Sequence, residues 1–229
     1  MNWAYGVTTV SERFNDLLPR TLDSLEKSIF NKPHIFIDGG NNRMPDGLDE
    51  TAHRKRVRCA GNWVLSLYEL YILNPKADRY AIFQDDCVAY KNLKLYLEQC
   101  TLEEKTYWNL YTFHSNLVHI NKHNNGKKGW SPSNQLGRGA VGLVFTNTGV
   151  RDLLSSRYIV ERFQDDNRGY KAIDGGIVTA LKELGYTELV HNPSLLQHTG
   201  SRSTTGNNPH QPSPCWYGED FDALDLLKQ

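Results

Sequence analysis

The chain has 229 residues, in which 26 lysines and arginines balance 26 aspartates and glutamates, so its formal net charge is zero. A neutral protein has no overall field that draws it to nucleic acids or anionic membranes, which excludes binding driven by net charge alone. Hydrophobic residues make up 39% and charged residues 23%, a balance that excludes intrinsic disorder and is typical of one globular domain.

The cysteines and the start of the chain indicate the compartment. Cys59, Cys87, Cys100 and Cys215 are widely spaced and form no CxxC pair, which predicts reduced thiols rather than disulfides or a zinc site. Residues 1–5 lack the basic flank of a secretory signal, and no stretch approaches the roughly 18 apolar residues of a spanning helix. We therefore expect a soluble, cytoplasmic protein without a membrane partner, and a bacterial or viral origin fits this expectation.

Strand and helix signals alternate from the start of the chain, which favours an α/β sandwich with a largely parallel sheet. Short apolar runs predict the strands, and apolar residues at helical spacing predict the helices between them. In chain order these elements are a strand at 4–10, a helix from Phe14 to Leu25, a strand at 34–37, a polar loop at 41–50, a helix from Val57 to Tyr71, a strand from Tyr80 to Gln84 and a helix at 92–100.

The pattern changes after residue 107. The predicted elements here are strands at 108–114 and 116–120, a long polar loop at 121–139, a strand at 140–145, a helix at 147–154, a helix from Ile177 to Leu184 and a last short strand at 187–190. The following segment, 199–218, is rich in Ser, Thr, Gly, Asn and Pro, and a disordered tail is the simplest interpretation.

The most informative feature is the pair Asp85–Asp86, which directly follows the apolar strand ending at Gln84. Carboxylates at the carboxyl end of a buried strand lie where open α/β sheets bind ligands. Hard divalent cations such as Mg²⁺ and Mn²⁺ bind carboxylate oxygens and share them with substrate phosphates. The alternative is a plain turn or a helix cap, because Asp is common in both.

Two earlier strands also end in small polar or acidic residues. The first ends in Thr8 and Thr9, and the second is closed by Asp38. Three such ends in succession predict one nucleotide crevice along a single sheet edge. A second acidic pair, Asp165–Asp166, follows no strand and is interpreted as part of a solvated loop.

At this point the chain resembles the GT-A fold glycosyltransferases, which use nucleotide sugars and carry an Asp-x-Asp-like acidic motif. The segment 83–88 is similar to the Glu-Asp-Asp motif of N-acetylglucosaminyltransferase-like families, with Gln84 in place of Glu. Residues 61–63 are similar to the Gly-Asn-Trp of these enzymes, and residues 191–200 to their ending with Asn-Pro-Ser and Gln-His. The resemblance covers about residues 4–205.

The resemblance implies a GT-A (Rossmann-like) three-layer sandwich that uses a UDP-sugar donor and Mn²⁺ or Mg²⁺. It implies a single domain, in which 1–106 form the nucleotide-binding half, 107–198 the acceptor-side half and 199–229 a flexible tail that closes over the donor. The final Asp of the motif, here Asp86, is implied as the metal ligand. The residues expected to bind the donor are Thr8, Thr9, Asp38, Asn62, Gln84, Asp85 and Arg202.

His198 and Arg202 are the two candidates near the tail. A lone histidine is most often a surface or core residue, but the resemblance matches His198 to the C-terminal histidine that completes the metal site in many GT-A enzymes. Arg202 lies in the segment after it, and its guanidinium suits bidentate contacts with the donor phosphates. The alternative for this segment is a disordered tail without a role.

Asp174 precedes two glycines and an amphipathic helix. One interpretation is an N-cap, for which Asp is among the preferred residues. The other is a general base, because inverting glycosyl transfer requires a group that removes the proton of the attacking hydroxyl. The resembling families use an acidic residue at the start of this late helix for that step.

Two basic segments are candidates for binding the acceptor. The run 53–58 is interpreted as a solvated helix start, a nucleic-acid patch or a phosphate contact, and the sequence leaves these open. The loop 122–128 with Trp130 has the composition of an acceptor-binding loop, because aromatic faces stack on sugars or bases. The acceptor is therefore expected to be a glycan or a hydroxymethylated DNA base.

The sequence thus predicts a metal-dependent glycosyltransferase that moves a sugar from a UDP-sugar to an acceptor hydroxyl with inversion. A nucleotidyltransferase on the same kind of sheet is one alternative, although its usual glycine-rich loop is missing after the first strand. A non-enzymatic module that binds sugars or nucleic acids is the other alternative.

Overall fold

The computed structural model describes residues 1–40, 47–165, 173–200 and 212–228. The strands within these ranges are β1 (Trp3–Thr9), β2 (His34–Asp38), β3 (Glu50–His53), β4 (Arg79–Gln84), β5 (Cys87–Ala89), β6 (Thr106–Asn109), β7 (Gly129–Pro132), β8 (Gly142–Thr146), β9 (Thr187–Asn192) and β10 (Leu196–His198). The α-helices are α1 (Leu17–Lys27), α2 (Arg58–Leu73), α3 (Leu93–Gln99), α4 (His114–His123), α5 (Asn147–Ser155), α6 (Arg157–Arg162) and α7 (Asp174–Glu183). Short 3₁₀ turns occur at Ser11–Arg13 and Ala223–Lys228.

One central sheet organises the described part of the chain. Its eight strands lie in the order β3-β2-β1-β4-β8-β6-β9-β7, while β5 and β10 form a separate two-stranded ribbon. From β3 to β4 all pairings are parallel; β8 runs antiparallel to both of its neighbours, and β7 runs antiparallel to β9. The sheet is therefore mostly parallel, and the predicted α/β architecture is confirmed.

Helices cover both faces of this sheet. On β4, Ala81 and Phe83 belong to one hydrophobic core, and Tyr80 and Ile82 belong to the core on the opposite face. Helices α1 and α3 contribute leucines to the first core, and α2, α5 and α7 contribute to the second. Because successive side chains of a strand point to opposite faces, the continuous apolar runs of the sequence indicate burial on both sides.

The predicted strands at 108–114 and 116–120 are wrong in part. The first ends at Asn109, and the second lies within helix α4. Its alternation of Val118 and Ile120 suggested a strand, but Val118 is exposed, whereas Asn116 and Ile120 are fully buried. Residues four positions apart share a helix face, and this spacing brings both side chains to the core.

Short strands were missed where the sequence is polar. Glu50, predicted to end a loop, begins β3, and β7 lies inside the predicted loop at 121–139. The strand at 187–190 is not the last, because β10 follows it. Strands of three or four residues carry too little alternation to be recognised alone.

The predicted nucleotide-binding half, 1–106, ends at the first residue of β6. One sheet includes strands from both this half and the predicted acceptor-side half. Among the helices of the described ranges, none is long and apolar enough to cross a membrane.

Candidate functional site at the sheet edge

The connections of the sheet reverse direction at β1. Strand β1 pairs with β2 on one side and with β4 on the other, both in parallel. Such a reversal opens a crevice at the carboxyl ends of the two central strands, which is where open α/β sheets bind ligands. The carboxyl ends here carry Thr9 on β1, Asp38 on β2 and Asp85 just after β4. The three ends therefore lie along one edge of the sheet, as expected, while a nucleotide crevice at this edge stays a prediction.

Asp85 and Asp86 occupy the tight turn between β4 and β5, and both are buried. The hydroxyl of Thr9 donates to Asp85 Oδ2 at 2.7 Å. Thr21 of α1 fixes the turn from below, because its hydroxyl bonds the carbonyl oxygens of Asp85, at 2.8 Å, and Cys87, at 2.9 Å. The turn is therefore held by both β1 and α1.

Arg13 supplies the positive charge between the two acids. Its Nη1 donates to Asp86 Oδ2 at 2.8 Å and also bonds Asp85 Oδ1. Arg13 belongs to a 3₁₀ turn of three residues directly after β1. The sequence reasoning passed over this arginine, and its position after the first strand was the available signal.

The electrostatics of the pair are asymmetric. Burial, followed by the charge of Asp86, raises the pKa of the Asp85 carboxyl above its usual range. Burial acts in the same direction on Asp86, but His198 and Arg13 outweigh it and hold the pKa of Asp86 below its usual range. Asp86 is thus the stronger acid of the pair and is ionised at neutral pH.

The structure brings His198 against Asp86, as the resemblance implied. His198 Nε2 lies 3.3 Å from Asp86 Oδ2. Strand β10 pairs antiparallel with β5, so that His198 stands opposite Cys87. The main-chain N–H and the hydroxyl of Thr199 both donate to the carbonyl oxygen of Asp86, at 2.8 and 3.0 Å. These contacts join the end of β10 to the acidic turn.

Two features of Asp86 fit a bound cation. Its Oδ1 is buried and has no hydrogen-bond partner in the described ranges, although an ionised carboxylate oxygen is normally satisfied. Gly200 lies so close that a Cβ there would stand 2.6 Å from Asp86 Oδ2. Among the described residues, no group of three or more His, Cys, Asp or Glu side chains converges as a complete metal site. Metal binding stays a prediction, with Asp86 and His198 as the protein ligands.

The other predicted donor-binding residues line the same edge, but several are engaged by the protein. Thr8 donates to the Phe83 carbonyl at 3.3 Å, and Gln84 is half-buried at the end of β4. Asp38 is buried, and its Oδ1 accepts the N–H of Val57 at 2.6 Å. Asp38 thereby fixes the start of α2 at the crevice.

Asn62 is placed differently from its predicted role. Its Nδ2 donates to the Phe36 carbonyl at 3.2 Å, and its Oδ1 lies 3.0 Å from His53 Nδ1. Both ends of the amide are therefore used to join α2 to β2 and β3. In this structure Asn62 fixes α2 against the two strands and does not present its amide to a ligand.

Asp174 is the first residue of α7, yet it does not cap its own helix. The N-cap position is Ile173, and no side-chain cap is present there. Instead, Asp174 Oδ2 accepts the N–H groups of Gly139, at 2.8 Å, and Ala140, at 3.2 Å. The N-cap alternative is therefore wrong, and the carboxylate is fixed by the loop before β8.

The charges of several of these acids affect the pKa of the Cys59 thiol, which lies in the first turn of α2. Burial raises the pKa of Cys59 to about 12, and four carboxylates act in the same direction. They are Asp174, Asp86, Asp85 and Asp38. All four carboxylates are thus close enough to the start of α2 for their charges to act on this thiol.

The basic segments are partly engaged. Arg56 of the run 53–58 pairs with Glu12 at 3.0 Å and lies 3.8 Å from Asp38. In the loop 122–128, Lys128 Nζ donates to the hydroxyl of Tyr217 at 2.7 Å.

Trp130 is not an exposed platform for an acceptor. Its ring stacks on Trp108 at 4.5 Å and packs edge-on against His191, within the core beneath β7. Arg202 and Asp166, by contrast, fall outside the described residues.

No protein-family model matches the chain, and the search of curated proteins finds no match either.

Proposed function

We propose that the protein is a metal-dependent glycosyltransferase that transfers a sugar from a UDP-sugar to an acceptor hydroxyl, with inversion at the anomeric carbon. One observation carries the proposal. The buried Asp85–Asp86 turn lies at the reversal point of a mostly parallel sheet, with His198 at 3.3 Å from Asp86. Acidic pairs at such an edge suit a nucleotide diphosphate held through a divalent cation.

Asp86 and His198 are the residues that would hold Mn²⁺ or Mg²⁺. Carboxylate oxygen and neutral imidazole nitrogen are both acceptable to Mn²⁺. A bound cation of this kind neutralises charge that develops on a departing diphosphate. Arg13 keeps the two carboxylates together, because it bonds both of them.

The donor is assigned to the ends of β1, β2 and β4. Thr8, Thr9 and Asp38 lie where the nucleoside would be held, and Gln84 and Asp85 face the ribose or the sugar. Arg202 is assigned to the phosphates. The support for this arrangement is that the three strand ends are neighbours in one parallel set.

Asp174 is assigned as the general base. Its Oδ2 accepts two main-chain N–H groups, so we assign Oδ1 to the acceptor hydroxyl. As the acceptor oxygen bonds to the anomeric carbon, the bond between this carbon and the diphosphate oxygen breaks, and its electron pair leaves with the diphosphate. The hydroxyl proton passes to Asp174. Ala140, which binds Asp174, directly precedes Val141, and the Val141 carbonyl oxygen accepts the N–H of Gln84 at 2.8 Å beside the acidic turn, which supports one shared crevice.

The acceptor is proposed to be a glycan or a hydroxymethylated base in DNA. The exposed lysines of the loop 122–128 favour an anionic acceptor, while the zero net charge argues against tight binding of a polyanion. Binding to duplex DNA that weakens steeply with salt would select the DNA acceptor.

A panel of nucleotide sugars tests the proposal by thermal unfolding with and without Mn²⁺. Since ligands that bind the folded state raise its stability, the correct UDP-sugar should raise the melting temperature in the presence of Mn²⁺. Asp86→Asn should lose the metal-dependent part of this shift. The matched control is Asp23→Asn, because Asp23 is an exposed carboxylate on α1 paired with Lys27. Turnover and metal dependence of Asp86→Asn equal to wild type would contradict the proposal.

A second candidate is a nucleotidyltransferase, which forms a nucleotide sugar from a nucleoside triphosphate and a sugar phosphate. The observation that favours it is Arg13, a basic residue directly after β1 that reaches the acidic pair. Release of pyrophosphate from such a mixture, without transfer from UDP-sugars, would select this candidate. Metal-independent ligand binding with no donor hydrolysis would instead indicate a binding module.

A further inference from the structure

A second buried carboxyl group lies close to the proposed base. Glu188 of β9 is 2% exposed. Its Oε1 accepts a hydrogen bond from Asn109 Nδ2 at 3.2 Å, while its buried Oε2 has no hydrogen-bond partner within the ranges that the structure describes. None of the salt bridges of these ranges includes Glu188. A buried acid without a paired cation is costly and calls for an explanation.

The loop between β7 and β8 is built around Glu188. Ser133 N–H donates to the Glu188 carbonyl at 2.9 Å. The amide of Gln135 bonds the main chain of Glu188 twice, at 2.9 and 3.0 Å. At the far end of the loop, Asn109 Nδ2 donates to the Arg138 carbonyl at 3.0 Å as well as to the Glu188 side chain. One end of the loop is therefore bound by the main chain of Glu188, and the other is linked through Asn109 to its side chain.

The same loop holds Asp174. The N–H groups that bind Asp174 Oδ2 belong to Gly139 and Ala140, which directly follow Arg138. Gly137 packs against the main chain of Asp174, where a Cβ would lie 2.5 Å from its carbonyl oxygen. A continuous set of hydrogen bonds thus leads from Glu188 through Asn109 and the loop to the proposed base.

The charges around Glu188 favour its neutral form. Burial raises the pKa of Glu188 to about 7, against the lowering effect of the neighbouring Ser133 and Asn109 side chains, and the charge of Asp174 raises it further. Tyr107 of β6 also faces Glu188, and burial followed by the Glu188 charge raises the pKa of the tyrosine well above its ordinary value. Arg138 is the charged residue of the loop, but its side chain is exposed.

We propose that Glu188 is a positioning residue that sets the basicity of Asp174. In either protonation state its Oε1 can accept the Asn109 hydrogen bond that connects Glu188 to the loop fixing Asp174. When Glu188 loses its proton to solvent, a second negative charge stands behind Asp174 and makes it a stronger base. This inference rests on the proposed function, in which Asp174 takes the proton of the acceptor hydroxyl.

The interaction is reciprocal, and this makes it measurable without enzyme turnover. The charge of Asp174 acts on Glu188, so the interaction can be measured from the titration of Glu188 itself. Glutamate side-chain carbons labelled with ¹³C report the titration by NMR, and Glu188→Gln identifies the Glu188 signal by its loss. Asp174→Asn should lower the midpoint of the Glu188 titration by about half a pH unit or more. Asp23→Asn, the matched control, should leave it unchanged, and an unchanged midpoint in Asp174→Asn would overturn the inference.

The pH profile of turnover is the second measurement. Wild type should show a rate that rises with a midpoint near the measured pKa of Glu188. In Glu188→Gln, which can still accept the Asn109 hydrogen bond, this limb should disappear while the KM for the donor is kept. Persistence of the limb in Glu188→Gln would overturn the inference and leave the proposed function standing. If no nucleotide sugar is turned over by wild type, the proposed function fails, and the NMR titration alone decides whether the two carboxyl groups are coupled.

Discussion

Arg13 Nη1 lies 2.8 Å from Asp86 Oδ2 and bonds Asp85 as well. One guanidinium therefore pairs with two adjacent buried carboxylates. A cation that enters this site meets a carboxylate that is already paired, so it must bind through the oxygen that Arg13 leaves open. The buried Oδ1 of Asp86 is that oxygen.

Arg13→Met should destabilise the protein by about 3 kcal/mol, because it leaves two adjacent acids buried without their counter-ion. Added Mn²⁺ should restore more stability to this variant than it adds to wild type. Urea unfolding with and without Mn²⁺ measures both effects. The control is Arg20→Met, which removes an exposed ion pair with Glu219. Equal stability of Arg13→Met and wild type would contradict the assigned role.

Gly200→Ala should weaken Mn²⁺ binding by roughly tenfold, because the added Cβ would press on the Asp86 carboxylate from 2.6 Å. Direct titration with Mn²⁺ measures the affinity. Gly175→Ala is the control for metal binding, since a Cβ at Gly175 meets no atom within 4 Å. Unchanged affinity in Gly200→Ala would contradict the assignment of Asp86 as a metal ligand.

Asp174→Asn should lower the transfer rate by about 10²- to 10⁴-fold, the usual contribution of a general base. Donor and Mn²⁺ should still stabilise this variant, because Asp174 lies outside the acidic turn and the amide oxygen can accept the same loop hydrogen bonds. Single-turnover rates and thermal shifts separate the two effects. Loss of donor binding together with the rate would instead assign Asp174 to the donor.

Glu188 makes the stability of the protein depend on pH. Its pKa is about 7 in the folded state against 4.5 for the free side chain, so the unfolded chain loses this proton first as the pH rises. The contribution of Glu188 to stability is therefore lost between these two pH values, and the loss amounts to about 3 kcal/mol. As the pH rises from 4.5 to 7, the free energy of unfolding of wild type should therefore fall by this amount relative to that of Glu188→Gln. Urea unfolding at several pH values measures the difference, and a constant difference would contradict the shifted pKa.

His191 makes the protein less stable as the pH falls, which is the opposite pH dependence to that of Glu188. Pro193 O can only accept, so His191 Nδ1 donates to it at 2.6 Å, and Nε2 accepts from the hydroxyl of Tyr96 at 2.7 Å. Burial lowers the pKa of this imidazole from 6.5 to about 4, so the unfolded chain takes up the proton first on acidification.

Wild type should therefore lose about 3 kcal/mol relative to His191→Gln as the pH falls between the two pKa values. Acid titrations of both proteins at fixed urea measure this loss. Parallel curves would show that His191 is not held neutral by the fold.

The sheet edge could be predicted from the sequence because short apolar runs ending in polar residues carry a clear local signal. Thr9, Asp38 and Asp85 were placed correctly for that reason. Arg13 was missed because its partners are 72 and 73 positions away along the chain, and its 3₁₀ turn has no periodic pattern. Asn62 is the opposite case, a residue predicted to bind the donor that the structure shows bonded within the protein. Its motif suggested a ligand, but only the packing of α2 against β2 and β3 reveals that its amide is already satisfied.

The network behind Asp174 was also beyond sequence reasoning. Glu188 is a charged residue within a strand of mixed composition, and nothing local distinguishes it from a solvent-facing side chain. Its burial follows from the position of β9 between β6 and β7 and from the loop that folds over it. Pairing between strands that are distant along the chain decides whether such a side chain is buried, and this pairing cannot be inferred from the local pattern of one sequence.

The pairing of β10 with β5 has a consequence for biosynthesis. The acidic turn leaves the ribosome more than a hundred residues before His198, Thr199 and Gly200, which complete its surroundings. A nascent chain can therefore form the first four strands around Thr9 and Asp85 before the proposed cation site is complete. Affinity for Mn²⁺ should consequently arise only after residue 200 has been synthesised.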